Sequence, residues 1–241
     1  MSDRCFDLYF FKSLASTNDK TKEILKLQKN NNNLALFSVN QERGKGRKNR
    51  VWISKKGDLT CSFAIQKKIN VSDLGKINLY TIYHLIKTFN KIGINKNISY
   101  KWPNDILINK KKVAGVLIET NVFGGSINQL IVGIGINFVS KIINSRFSSI
   151  SLGELVTKSN PLNFFFLMIE CFEYFFMNYS SIEFEKISSS LSKIFFNKRE
   201  NIIINLGHKK VEGVFKEINS SGELLIKKLN REVKISYGEI I

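Results

Sequence analysis

Histidine and proline occur only twice each in this chain, cysteine three times, and acidic residues number 20 against 37 basic ones. Each scarcity excludes something. The cysteines, Cys5, Cys61 and Cys171, are odd in number, far apart and without C-x-x-C spacing. That argues against a disulfide framework or a zinc ribbon and fits a reducing cytoplasm. His84 and His208 form no pair and no metal spacing, and no Ser-His-Asp or Cys-His arrangement is readable, so neither histidine receives a role. No bilayer-length apolar run is free of charge. The most hydrophobic segment, "PLNFFFLMIECFEYFFMNY", carries Glu170 and Glu173 near its middle, and so reads as a buried helix, with no membrane partner expected. The opening "MSDRCFDLYFF" puts charges where a cleaved leader needs a longer apolar stretch.

What the chain does have is length, apolar content and positive charge. With 241 residues, 43% of them hydrophobic, it can bury one sizeable core and leave a small second domain. Nineteen Phe fit a packed interior and not a disordered chain. The formal charge of +17 raises a polyanion partner such as nucleic acid. The lysines are scattered, however, in a sequence crowded with Lys, Asn and Ile throughout ("KNNNN" at 29–33), so a bias in composition accounts for the charge better than a polyanion partner does.

Elements follow from periodicity. "DLYFF", "LALFSVN" and "LTCSFAI" read as strands, and a helix begins after "STN" with Ser16, Thr17 or Asn18 as its cap. Apolar residues at helical spacing predict a helix over 74–92 that Gly93 closes. "ILI", "VAGVLIE" and "QLIVGIGINF", joined by "NKKK" and "GG", predict antiparallel strands. Two helices follow, one after Pro161 and one within 182–196. About five short strands then predict a small barrel. The expected division is 1–197 and 198–241.

Four stretches hold candidate chemistry. Ser16-Thr17-Asn18 gathers three small hydrogen-bonding side chains where a strand meets a helix; capping alone would explain them, as would a polar ligand. "QERGKGRKNRVW" (41–52) sets Gly44 and Gly46 among five basic residues. Glycines allow close backbone approach and Arg47 offers a planar fork for phosphate or carboxylate, but a solvated basic turn would look the same. In "YKWPNDILI", Pro103 fixes a bend immediately after Lys101-Trp102, placing Lys101 at a strand end and Asn104-Asp105 beyond it, suited to a hydrated cation or a ribose. In "VGIGINF", Gly133 and Gly135 inside a strand suggest that a ligand or another backbone comes close, with Asn137 beside them.

In this order, "STN", "Q..GKGRKNRVW", "KWPNDI", "KVAGVLIE" and "GIGIN" resemble the catalytic domain of the biotin protein ligases, the biotin–[acetyl-CoA-carboxylase] ligases. The likeness runs from about Leu8 to the end of the chain. It implies an α+β fold: a mixed β-sheet flanked by helices, related to class II aminoacyl-tRNA synthetase catalytic domains, with a C-terminal SH3-like β-barrel. It also implies a two-step reaction in which biotin and MgATP give biotinyl-5′-AMP, and the biotinyl group then passes to one lysine of the biotin carboxyl carrier protein. Lys101 and Arg47 would be the catalytic cations. Ser16, Thr17, Asn18 and Gln41 would bind biotin, with Lys45, Gly46, Arg47 and Lys101 around it. Arg47, Trp52, Asn104, Asp105 and Asn137 would surround ATP. Mg2+ is expected with ATP, and no metal ligand is assigned.

The chain departs from the family's G-R-G-R-R-G-R loop, since Lys45 and Lys48 replace Arg and Asn49 replaces Gly. Lysine keeps the charge without the fork, and Asn49 tolerates positive φ better than most residues. Long members of the family carry an N-terminal helix-turn-helix domain. Here the likeness starts within about ten residues of Met1, so specific DNA binding is not expected, while homodimer formation stays open. Two other readings compete: a lipoate or octanoyl ligase or transferase of the same fold, and a basic nucleic-acid-binding module.

Overall fold

The computed structural model describes residues 6–66, 69–123, 126–141, 148–156, 160–198, 200–229 and 231–241. Cys5 and the "GG" at 124–125 lie outside these residues.

The first part of the chain runs β1 (Phe6–Phe11), α1 (Thr17–Leu27), β2 (Asn33–Ser38), β3 (Gly44–Lys45), β4 (Val51–Trp52), β5 (Leu59–Ile65) and β6 (Ile69–Asn70). Then come α2 (Leu74–Lys91), β7 (Ile98–Lys101), β8 (Asp105–Ile108), β9 (Lys111–Phe123) and β10 (Ser126–Ile136). The last part is α3 (Pro161–Met177), α4 (Phe184–Lys193) and the strands β11 (Asn201–Asn205), β12 (Lys210–Ile218), β13 (Leu224–Lys228), β14 (Arg231–Ile235) and β15 (Glu239–Ile240).

The main sheet has the order β1-β2-β5-β10-β9-β8-β7, with β6 paired to β10. Only β1 and β2 run parallel in it; β2–β5, β5–β10, β10–β9, β9–β8 and β8–β7 are antiparallel. It is therefore a mixed sheet with helices on both faces. Alternation along the strands sorts the faces. Leu34 and Leu36 of β2, Ala64 of β5 and Ile131 of β10 pack with Leu25 of α1. Ala35, Phe37, Phe63, Val132 and Ile134 point the other way, into the larger core with α2 and α3. All seven residues of "LTCSFAI" are buried, because both faces of this central strand are covered.

Phenylalanines and isoleucines dominate that larger core. Phe63 meets Phe172 with ring centroids 4.8 Å apart and Phe165 at 5.6 Å, within the range where aromatic pairs add to area burial. In α3, Phe164, Phe165, Met168, Phe172 and Phe175 are buried while Glu170 is exposed. This is the amphipathic helix its acidic residues predict, and among the described residues no helix is long and apolar enough to cross a membrane.

The C-terminal strands form a five-stranded antiparallel sheet, β14-β13-β12-β11-β15; among the described residues no pairing joins its two ends. It is seated against the first part of the chain. Phe215 stacks on Phe195 at 3.6 Å between centroids, and the Trp102 indole N–H donates to the Gly222 carbonyl at 3.0 Å. The turn at 221–222 thus braces the residue next to Lys101.

Candidate active site

Every site residue read from the sequence lines one cavity of about 250 Å³, on the α1 face of the main sheet. Four separate stretches build it: the start of α1, the basic loop, the bend after β7, and the middle of β9 and β10.

At one end lies the first turn of α1. Ser16 is the cap and accepts from the Asp19 N–H at 3.4 Å. Thr17 is fixed by Gln41, whose Oε1 accepts both the Thr17 backbone N–H at 2.8 Å and its hydroxyl at 3.1 Å. With that oxygen doubly engaged, the Gln41 amide is oriented and presents its NH2 as donor. Gly44 leaves room for it, since a Cβ there would lie 2.5 Å from Gln41 Nε2. Asn18 is buried against β10, its Oδ1 accepting from Ser62 Oγ at 2.6 Å and its Nδ2 donating to Glu119 Oε2 at 2.7 Å.

The glycines in "VGIGINF" have a definite reason. A Cβ on Gly133 would collide with Asn18 Oδ1, and one on Gly135 would lie 2.5 Å from Trp52 Cε2. The close approach expected of them is made by two side chains, not by another backbone. Gly115 on the neighbouring strand gives the indole the same clearance, with a Cβ there 3.0 Å from Trp52 Cζ3. Trp52 thus lies flat over a glycine floor, and its ring Nε1 has no partner among the described residues.

The basic loop folds as β3, a short turn at Arg47–Asn49 and β4. Lys48 and Asn49 both have positive φ, 54° and 59°, so Asn49 takes the conformation that makes it a workable substitute for glycine. Lys45 pairs with Asp19 of α1 at 2.7 Å. Arg47 donates through Nη1 to Asn104 Oδ1 at 3.4 Å and through Nη2 to the Gly238 carbonyl at 3.0 Å. Burial lowers its pKa, with Glu239 and Asp105 opposing that shift; a guanidinium so placed stays charged.

Lys101 ends β7, across the bend from its partner Asp105. Its ammonium lies over the Phe196 ring, 5.9 Å from the centroid, and forms no ion pair among the described residues. Asn104 is held by Nδ2 donating to the Val116 carbonyl at 2.9 Å, and buried Asn137 by Nδ2 donating to the Lys112 carbonyl at 3.2 Å. Asp105 pairs with Lys112 at 2.7 Å, and that ammonium also sits 5.2 Å from the Trp52 ring centroid.

Five participants escape the sequence reading. Arg50 and Lys112 lie inside or beside the quoted motifs and could have been found there. Glu119 closes the quoted "KVAGVLIE" and Ser62 lies in "LTCSFAI", but they and Glu239 bind groups far along the chain, and no local signal marks that role. The arrangement as a whole offers oriented donors and acceptors at one end and two cations, Arg47 and Lys101, at the other. No group of three or more His, Cys, Asp or Glu among the described residues could hold a metal ion.

Residues 10–137 match the biotin/lipoate A/B protein ligase family, and residues 200–241 match the biotin protein ligase C-terminal domain. A biotin–[acetyl-CoA-carboxylase] ligase of Paracoccus denitrificans is 25% identical over 224 residues, covering 89% of this chain and 92% of the relative. The bifunctional ligase/repressor BirA of Escherichia coli is 24% identical over 204 residues; the match covers 80% of this chain and 61% of the relative's length. In fold, the chain is similar to a biotin protein ligase from Aquifex aeolicus solved with biotin and ATP, with a TM-score of 0.79, 24% identity and coverage of 98% and 97%. The catalytic-domain match alone spans more than half of the sequence, and the chain belongs to the biotin/lipoate A/B protein ligase family.

Proposed function

We propose that this protein is an ATP-dependent biotin protein ligase, which activates biotin to biotinyl-5′-AMP and transfers it to a lysine of the biotin carboxyl carrier protein of acetyl-CoA carboxylase, in the cytoplasm. The observation that carries this reading is that Arg47 and Lys101, from the basic loop and the β7 bend, line the same cavity as Thr17, Gln41 and Trp52.

No protein nucleophile is required. The biotin carboxylate attacks the α-phosphate directly and expels pyrophosphate, so the protein contributes positioning and positive charge where phosphate oxygens gain negative charge. Lys101, without an ion pair among the described residues, bridges carboxylate and α-phosphate. Arg47 holds phosphate and the finished adenylate. Ser16, Thr17, Asn18 and Gln41 take the ureido end, where the Gln41 NH2 suits its carbonyl, and Lys45 and Gly46 cover it. Trp52, Asn104, Asp105 and Asn137 surround the nucleotide. The side chains do not by themselves fit a metal cage: Asp105 already faces Lys112. Mg2+ would therefore arrive on the ATP phosphates.

The family also contains lipoate ligases, and lipoate lacks the ureido group. A site built to hydrogen-bond that group rejects an analogue without it by roughly 10⁴–10⁵. The buried Thr17–Gln41 pair and the C-terminal match both favour biotin. ATP–pyrophosphate exchange with each acid, followed by mass spectrometry of a carrier domain, tests the reading. Exchange and labelling with biotin alone are expected; exchange supported by lipoate and not by biotin would overturn it.

A further inference from the structure

The α1 end of the cavity is held by two residues that do not line it themselves but bond directly to Asn18, which does. Asn18 reaches across three strands. Ser62 on β5 and Gly133 on β10 are a cross-strand pair, and Glu119 lies on β9, opposite Ile131. Gly133 leaves the space into which the Asn18 amide descends. Ser62 and Glu119 then take its two ends, at 2.6 and 2.7 Å.

The polarity of this arrangement is unambiguous. An ionised carboxylate only accepts, so Nδ2 must face Glu119, and the single hydroxyl hydrogen of Ser62 goes to Oδ1. A flipped amide would set its oxygen against the carboxylate. The second Glu119 oxygen accepts from Lys22 Nζ at 2.6 Å. Asn18 and Lys22 are one helical turn apart on the same face of α1, so one carboxylate secures two successive turns of the helix. Thr17, between Ser16 and Asn18, is the residue that orients Gln41.

We propose that Glu119 and Ser62 are positioning residues for acid recognition: by fixing Asn18 they hold Ser16, Thr17 and Gln41 in the geometry that binds the ureido end of biotin. This rests on the biotin reading above. Ser62 and Asn18 are buried, with 0% and 3% exposure, so losing either partner leaves one end of the amide unmatched at a free-energy cost that a shift of α1 relieves. The displacement falls on the acid-binding end, while Arg47, Lys101 and Trp52 are carried by other elements.

The test is pyrophosphate exchange with biotin and ATP varied separately, on the full chain. Glu119→Ala is expected to raise the KM for biotin roughly ten- to a hundredfold, with the KM for ATP within about twofold and kcat within about threefold of wild type. Glu119→Gln, which can still accept from Asn18, should recover most of the loss. Lys22→Ala, which removes only the second pairing, should stay near wild type. Should Glu119→Ala fail to fold, Ser62→Ala, expected to raise the same KM severalfold, carries the test. An unchanged biotin KM in these variants overturns the proposal, as does a parallel rise in both KM values. If wild-type protein shows no exchange with biotin, the parent reading is what fails; if wild type exchanges normally and Glu119→Ala keeps its biotin KM, this inference alone fails.

Discussion

Arg47 donates to the backbone carbonyl of Gly238, 191 positions further along the chain, at 3.0 Å. The next residue, Glu239, accepts from Arg50 at 2.6 Å and lies 3.7 Å from Lys48. The turn into β15, the last strand of the C-terminal sheet, thus anchors the basic loop. Gly238 suits the position, since its φ of 136° is one that side chains rarely adopt.

Neutralising Glu239 should therefore loosen the loop without unfolding anything. Pairs as exposed as these contribute about 0–1 kcal/mol each. For Glu239→Gln the expected result is release of biotinyl-AMP up to about fivefold faster, since 1 kcal/mol is about a factor of five, with an almost unchanged melting temperature. Trapping of labelled adenylate by excess unlabelled biotin measures it. Release at the wild-type rate would mean that the C-terminal sheet does not steady the loop.

Arg47→Gly should have the larger effect of the same kind, because it removes the cation along with its bonds to Asn104 and Gly238. Escaping adenylate acylates any amine it meets, so biotin should be found on lysines of bystander proteins mixed into the reaction. Retention equal to wild type would contradict the clamp role.

Lys101→Ala tests the other cation. A hydrogen bond to a charged partner contributes about 1.5–3 kcal/mol, which is about one to two decades of rate, and more if the contact forms chiefly in the transition state. Adenylate formation should fall at least that far while circular dichroism and melting stay near wild type. The ammonium leans on Phe196 and has no ion pair to lose among the described residues. Turnover like wild type would remove Lys101 from the mechanism.

The cavity was legible in the sequence to the extent that its groups are presented by short, punctuated stretches. Glycine and proline mark where backbone geometry is special, and the basic loop, the Lys101 bend and the strand glycines were all visible for that reason. β7 was only half visible: its end at Lys101 follows from Pro103, but "ISYK" is too short to carry a period. What could not be read is pairing at a distance. Glu119 is 101 positions from Asn18, and nothing in "VLIET" distinguishes a site carboxylate from a solvated one. The two glycines illustrate the same limit. Their presence announced a close approach, yet only the fold reveals that Asn18 and Trp52 make it.

Gly135→Ala follows from that contact. The added methyl would lie 2.5 Å from the Trp52 ring, so the indole must leave its place over β9 and β10. Overpacking of this kind costs about 1–3 kcal/mol. The KM for ATP should rise about ten- to a hundredfold with the KM for biotin much less affected, since the indole ring lies over Gly115 and Gly135 while only the backbone and Cβ of Trp52 come near Gln41. Steady-state exchange kinetics decide it, and equal changes in both constants would show that Trp52 does not separate the two subsites.

A pH dependence arises well away from the cavity. His84 in α2 packs against Tyr80 with the rings tilted by 35° and their centroids 4.1 Å apart, and its Nδ1 lies 3.3 Å from Cys171 Sγ in α3. Burial, helped by Lys87 and Lys91, lowers its pKa from 6.5 to about 4. Between those values the unfolded chain takes up a proton that the folded chain refuses, so the contribution of His84 to stability is complete above pH 6.5 and is lost as the pH falls towards 4. Carboxylates also titrate towards the lower end of that window, and the comparison that isolates the histidine is with His84→Phe, which keeps an aromatic ring beside Tyr80. Denaturant midpoints at pH 7.5 and pH 5 should fall further for wild type than for the variant. If the two proteins lose stability in parallel across that interval, His84 is not the group that refuses the proton.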